Sequence, residues 1–149
     1  MCRFQRVILV EDDETDEALA VRSIRRSGLE IELGVARNGE EACEMLRTLT
    51  DPVSLVLLDI KLPLKSGFEV LEFLRGQPST HQVPVVMLTS SCEPSDIERA
   101  FELGANSYIQ KQIDPEISDS KLKLALYYWL AVDSVSDKSA VSFRQPLIA

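Results

Sequence analysis

Apolar residues fall along this chain in five short runs, each followed by a longer stretch with helical spacing. The runs occupy residues 7–10, 31–36, 55–58, 85–88 and 108–109. Most are continuous rather than alternating, as strands buried on both faces are. The stretches between them carry helix punctuation. Asn38-Gly39-Glu40-Glu41 and Ser66-Gly67-Phe68-Glu69 each fit a capping box, in which the first side chain accepts a backbone amide and the Glu reaches back. Pro94 suits a first helical position, and Gly28 and Gly104 stand where helices end. Strand and helix thus alternate five times with short connections, which predicts a parallel sheet covered by helices on both faces, a doubly wound α/β domain.

The fifth helix is predicted to begin near Ser118 and to carry two apolar stripes. One is Leu122, Ala125, Leu126 and Trp129; the other is Leu124, Tyr127, Tyr128 and Ala131. A helix lying on a sheet needs one stripe. The surplus reads either as a partner surface or as a wide core face topped by half-exposed tyrosines. After Val132 the composition turns to Asp-Ser-Val-Ser-Asp-Lys-Ser, so residues 132–149 read as a tail that is either disordered or docked through its apolar end.

Composition narrows the class. At 149 residues the chain is one domain long. A chain of that size buries roughly 68–70% of its unfolded surface, enough for a core without disulfides or a structural metal. Hydrophobic residues make up 45% and charged residues 27%, an ordinary globular balance. No apolar run approaches the roughly 18 residues of a spanning helix, and the start of the chain lacks a signal-peptide core, so a cytoplasmic protein with no membrane association is expected. The net charge of −8 disfavours nucleic-acid binding. Cys2, Cys43 and Cys92 are widely spaced and odd in number, and there is one histidine, so free thiols are expected rather than a zinc site or a disulfide framework. His81 falls in a polar connection and reads as a surface residue.

Charge changes the picture most where it is local. Ligands of open parallel sheets bind outside the carboxyl ends of the strands. Glu11, Asp12 and Asp13 follow the first predicted strand, Asp59 the third, Thr89 and Ser90 the fourth, and Lys111 the fifth. Carboxylates crowded from adjacent strands repel one another unless they share a cation, and an oxygen-only donor set without a closed cage suits Mg²⁺. Lys111 and the Thr89 hydroxyl are suited to phosphoryl oxygens, and Asp59 is the isolated acid that can act as a nucleophile to form an acyl phosphate.

These segments carry a resemblance over residues 6–131. Val-Glu-Asp-Asp at 10–13, Leu-Leu-Asp-Ile-Lys-Leu-Pro at 57–63, Pro-Val-Val-Met-Leu-Thr-Ser-Ser at 84–91 and Gly-Ala-Asn-Ser-Tyr-Ile-Gln-Lys at 104–111 resemble the receiver domain of bacterial response regulators. The Thr-Ser-Ser run, the Ala-Asn-Ser-Tyr stretch and the late Tyr-Trp-Leu are similar to the single-domain regulators that accompany phytochrome kinases. The resemblance implies a flavodoxin-like (βα)5 fold with strand order 2-1-3-4-5 and no separate output domain. It implies that Glu11 and Asp12 are the acid pair near Mg²⁺, with Asp13 starting the first helix. Asp59 would accept phosphate from a sensor histidine kinase, and the Lys61 carbonyl would complete the metal shell. Thr89 would move toward the phosphate and Tyr108 would turn inward behind it. The expected partners are that kinase, of phytochrome type, and either a phosphotransfer protein or a second copy, the doubled apolar stripe of the fifth helix pointing to a homodimer through helix 4, strand 5 and helix 5.

Two positions depart from the family pattern. Gln112 follows Lys111 where a cis-proline is common, and a cis bond before a non-proline residue costs about 2.5–4 kcal/mol. Lys61 places a charge beside the acceptor, where it would change the lifetime of an acyl phosphate. The same lysine disfavours an aspartyl-phosphate phosphohydrolase, which needs an acid at that position and commonly a cap domain. Four consecutive acids at 11–14 disfavour a flavin site. A degenerate receiver used as a scaffold is the remaining alternative, and the presence of Asp12, Asp59, Thr89 and Lys111 together argues against it.

Overall fold

The structure is a computed structural model and describes residues 4–131. Five parallel strands, β1 (Gln5–Val10), β2 (Ile31–Ala36), β3 (Leu55–Leu58), β4 (Val85–Thr89) and β5 (Ser107–Gln110), lie in the order β2-β1-β3-β4-β5. They alternate with α1 (Glu14–Arg26), α2 (Gly39–Thr48), α3 (Gly67–Gly76), α4 (Pro94–Glu102) and α5 (Pro115–Leu126), and α5 continues into a π-helical turn, Tyr127–Ala131. The winding reverses between β1 and β3, as the predicted flavodoxin-like order requires. No helix among the described residues is long and apolar enough to cross a membrane.

The continuous apolar runs are explained by two cores. Ile8, Val10, Val56, Leu58, Val85 and Met87 face α2, α3 and α4, while Val7, Leu9, Leu55, Leu57, Val86 and Leu88 face α1 and α5. Every residue of β3 is fully buried. Each such aliphatic side chain contributes roughly 2–3 kcal/mol of transfer free energy, which fixes the central strand from both faces.

The helix starts follow the sequence signals closely. Asn38 Oδ1 accepts the Glu41 amide at 2.7 Å and Ser66 Oγ accepts the Glu69 amide at 3.3 Å. Pro94 opens α4, and Gly28 and Gly104 take positive φ just beyond α1 and α4. Gly67 has a different reason for being glycine: a β-carbon there would lie 2.0 Å from the Asp59 carbonyl oxygen. The start of α3 is therefore packed directly on the backbone that carries Asp59.

α5 differs from expectation. It starts at Pro115 rather than near Ser118, because the Asp114 side chain accepts the Glu116 amide at 2.9 Å and Pro115 is preset for the first turn. Its two stripes also part company. Leu122, Ala125, Leu126 and Trp129 are buried against the sheet, whereas Leu124 is 49% and Tyr127 41% exposed. The Tyr127 hydroxyl donates to the Ser27 carbonyl at 2.6 Å, and Tyr128 meets Trp129 edge-on. The predicted tail and Cys2 lie outside the described residues. Cys43 is buried, Cys92 is exposed, and His81 is exposed with its ring near the Pro78 carbonyl.

Candidate functional site

Parallel register brings the strand ends into one row. Val10 pairs with Leu58 and Leu58 with Met87, and Thr89 pairs with Gln110. The ladder continues one residue beyond the strands. The Glu11 amide donates to Ala36 at 3.0 Å, the Asp59 amide to Val10 at 3.1 Å, and the Lys111 amide to Thr89 at 2.8 Å. Backbone pairing thus fixes the bases of these three side chains before any side-chain contact is made.

Carboxylate oxygens of Glu11, Asp12 and Asp59 lie within 4.8 Å of one another. Glu11 is 2% and Asp59 6% exposed, while Asp12 is open to solvent. Lys111 reaches over them, with its Nζ 2.5 Å from Glu11 Oε2, 3.0 Å from Asp16 Oδ2 and 3.1 Å from Asp59 Oδ2. An ammonium has three N–H donors, and each here meets a carboxylate. Burial pushes the Glu11 carboxyl up to about 7, and the neighbouring charge of Asp59 adds to this while the bond from Lys111 opposes it. Burial alone would favour neutral Lys111, but the hydrogen bond to Glu11 and the charge of Asp59 outweigh it and hold the ammonium above its ordinary range.

Four carboxylates therefore face one ammonium, which leaves an excess of negative charge in a partly dry setting. The donors are all oxygen, two are buried, and the third is open to solvent, a set that fits a hard divalent cation keeping part of its water shell. Asp13 stands outside this group. Its side chain accepts the Asp16 amide at 2.9 Å and so caps α1, while its own amide donates to Glu11 Oε1 at 3.2 Å.

Thr89 is fully buried, and its Oγ1 accepts the Ser91 amide at 3.2 Å. Tyr108 is turned inward at 1% exposure, with its hydroxyl donating to the Ser91 carbonyl, and burial pushes its phenol up. The two sequence-predicted switch residues are thus joined through Ser91, which the sequence did not single out. Lys61 is exposed in the loop after β3. All peptide bonds among the described residues are trans, that between Lys111 and Gln112 included. The Gln112 amide instead donates to Ser118 Oγ at 2.9 Å, which ties the loop to α5. Asp16 was also missed; the available signal was its position in the first turn of α1, three residues after the cap Asp13.

Residues 7–123 match the model of the response regulator receiver domain. Response regulator Rcp1 of Synechocystis sp. is 34% identical over 110 residues, covering 70% of this chain and 75% of Rcp1. The structure of its Mn²⁺-bound form matches this fold with a TM-score of 0.80 at 30% identity, covering 87% of this chain and 96% of that one. The phosphorylated cyanobacterial phytochrome response regulator RcpA gives a TM-score of 0.82 at 30% identity, with 87% of this chain and 96% of RcpA covered. A probable cyclic di-GMP phosphodiesterase of Vibrio cholerae is 35% identical over 120 residues, which are 79% of this chain and 26% of that protein, so the match spans about a quarter of that relative. By sequence model, fold and strand-end chemistry, this chain belongs to the response regulator receiver family and is related to phytochrome response regulators.

Proposed function

We propose that this protein is a phosphorylation switch in which Asp59 takes a phosphoryl group from the phosphohistidine of a sensor kinase of phytochrome type. The observation that carries this reading is one buried carboxylate, Asp59, held beside Glu11, Asp12 and the Lys111 ammonium. An Asp59 oxygen forms the new bond to phosphorus as the phosphorus–nitrogen bond breaks, and the departing imidazole nitrogen keeps the electron pair. Lys111 keeps two of its donors on Glu11 and Asp16 and turns the third from Asp59 to a phosphoryl oxygen. The Thr89 oxygen already accepts from Ser91, so its hydroxyl proton is free to donate to another phosphoryl oxygen.

Glu11, Asp12, Asp59 and the backbone carbonyl of Lys61 would hold Mg²⁺. That ion supplies charge cancellation between the acids and the incoming phosphoryl group. The acceptor is self-sufficient in this reading, and the protein signals rather than turning over a substrate. The signal leaves through α4, β5 and α5, where exposed Leu124 favours a second copy of this chain or a phosphotransfer protein as the partner.

Incubation with Mg²⁺ and acetyl phosphate, followed by intact-mass measurement, tests this directly. The wild type is expected to gain a single phosphoryl adduct, and Asp59→Asn to gain none. A wild type that stays unmodified would favour the scaffold reading.

A further inference from the structure

Lys111 is held differently at its two ends. Its backbone amide donates to the Thr89 carbonyl at 2.8 Å, and the trans peptide that follows is anchored by the Gln112 amide on Ser118 Oγ at 2.9 Å. A flexible four-carbon stem separates that anchor from the ammonium, so the backbone does not place the charge. Three carboxylates do, and they are not equivalent. Glu11 and Asp59 are buried members of the oxygen group suited to a divalent cation, whereas Asp16 lies in the first turn of α1, outside that group, with its side chain 39% exposed. Its Oδ2 meets Lys111 Nζ at 3.0 Å, as closely as the Asp59 oxygen does at 3.1 Å.

We infer that Asp16 is a positioning residue that keeps the Lys111 ammonium beside Asp59 while a divalent cation occupies the acid group. The inference rests on the phosphorylation reading above and adds what prevents two positive charges in one small site from excluding each other. A cation shared by Glu11 and Asp59 draws on the charge that these carboxylates otherwise give to Lys111, and it repels the ammonium directly. Asp16 is not shared in this way, so its charge stays with Lys111. Without it the long side chain would swing toward water, and its third donor would no longer be in place for a phosphoryl oxygen. A pair this open to solvent is worth at most about five-fold in an equilibrium, which sets the size of the expected effect.

The test follows the Lys111 ammonium by nitrogen NMR, in which exchange of its protons with water reports whether it is held; its signal is assigned through its absence in Lys111→Met. Uptake of phosphate from acetyl phosphate is followed in parallel by intact mass. In Mg²⁺-free buffer, wild type and Asp16→Asn should both hold the ammonium through Glu11 and Asp59. With saturating Mg²⁺, exchange in Asp16→Asn should rise about five-fold over wild type, and uptake should slow by a similar factor. Asp16→Glu, which keeps a carboxylate at this position, should restore both. Glu14→Gln removes another acid from the same helical turn and should change neither, which separates pairing with Lys111 from a general effect of charge at the start of α1. Exchange at the wild-type rate in Asp16→Asn with Mg²⁺, or an equal change in Glu14→Gln, overturns the inference and leaves the phosphorylation reading standing. A wild type that takes up no phosphoryl group overturns both.

Discussion

Each end of the sheet holds a partly buried cation, and the two are solvated in opposite ways. At the carboxyl end, Lys111 meets three carboxylates. At the amino end of β4 and β5, Arg75 meets only neutral oxygens: Gly104 at 2.7 Å, Val83 at 2.8 Å, Asn106 Oδ1 at 2.9 Å, and the carbonyls of His81 and Thr80 at 3.2 and 3.4 Å. Burial lowers the Arg75 pKa, but a guanidinium does not give up its proton in such a site. Its planar fork is matched to fixed carbonyl dipoles that tie α3 to the loop before β4 and the turn before β5. Nothing there is left over to react. At the other end the charges do not balance, and the surplus negative charge is of the kind that a divalent cation offsets. The same fold uses buried charge once to hold loops in place and once to keep a site under electrostatic tension.

Removing each cation separates these roles. Arg75→Met strips donors from several carbonyls at once, and breaking a buried, hydrogen-bonded charge of this kind costs about 4 kcal/mol. Urea unfolding should show that loss, with Mg²⁺ affinity unchanged because the acid cluster is at the far end of the strands. A loss below about 1 kcal/mol would reduce Arg75 to a solvated surface residue. A matching loss of Mg²⁺ affinity would show instead that the two ends are not independent.

The carboxyl end should respond to pH where the amino end does not. Glu11 rises from an ordinary 4.5 to about 7, so the folded state binds its proton more tightly than the unfolded state does. The stabilisation this brings is complete below 4.5 and is lost as pH rises through 7. In Mg²⁺-free buffer, unfolding free energy should therefore fall by roughly 2–3 kcal/mol between pH 4.5 and 8 through this group, an effect that Glu11→Gln abolishes. Saturating Mg²⁺ should flatten the same profile, since it stabilises the ionised form. A metal-free profile that is already flat would mean that Lys111 neutralises Glu11 completely.

This division also explains what could be read from the sequence. The strands were legible because burial on both faces leaves continuous apolar runs, and Glu11, Asp12, Asp59, Thr89 and Lys111 were legible because each follows such a run within two residues. The start of α5 was misplaced because its first turn carries no apolar period, although Asp114 followed by Pro115 is a start signal present in the sequence. Arg75 and Ser91 were hidden for a further reason. Arg75 finds mainly backbone carbonyls and Ser91 finds partners set by the loop after β4, and neither kind of contact leaves a spacing to detect. Asp16 falls between these cases, since its place in the first turn after Asp13 was visible but its meeting with Lys111 depends on where β5 ends.

A third cation gives the smallest effect and the sharpest boundary between the two kinds of charge. Lys61 follows Asp59 by two residues and is exposed, so neither carbonyl dipoles nor carboxylates fix its ammonium. Two residues beyond the acceptor, its ammonium would pair with a phosphoryl oxygen on Asp59 and obstruct attacking water. Pairs of this exposed type are worth at most about 1 kcal/mol, which caps the effect at about five-fold in rate. Lys61→Ala should accordingly shorten the life of the Asp59 acyl phosphate by two- to five-fold, read as decay of the adduct by intact mass after the phosphodonor is removed. Equal decay in wild type and variant would leave Lys61 as a solvated charge with no part in the site. A much larger effect would mean that phosphorylation itself orders this side chain, drawing a free surface lysine into the same fixed pairing that Lys111 already has.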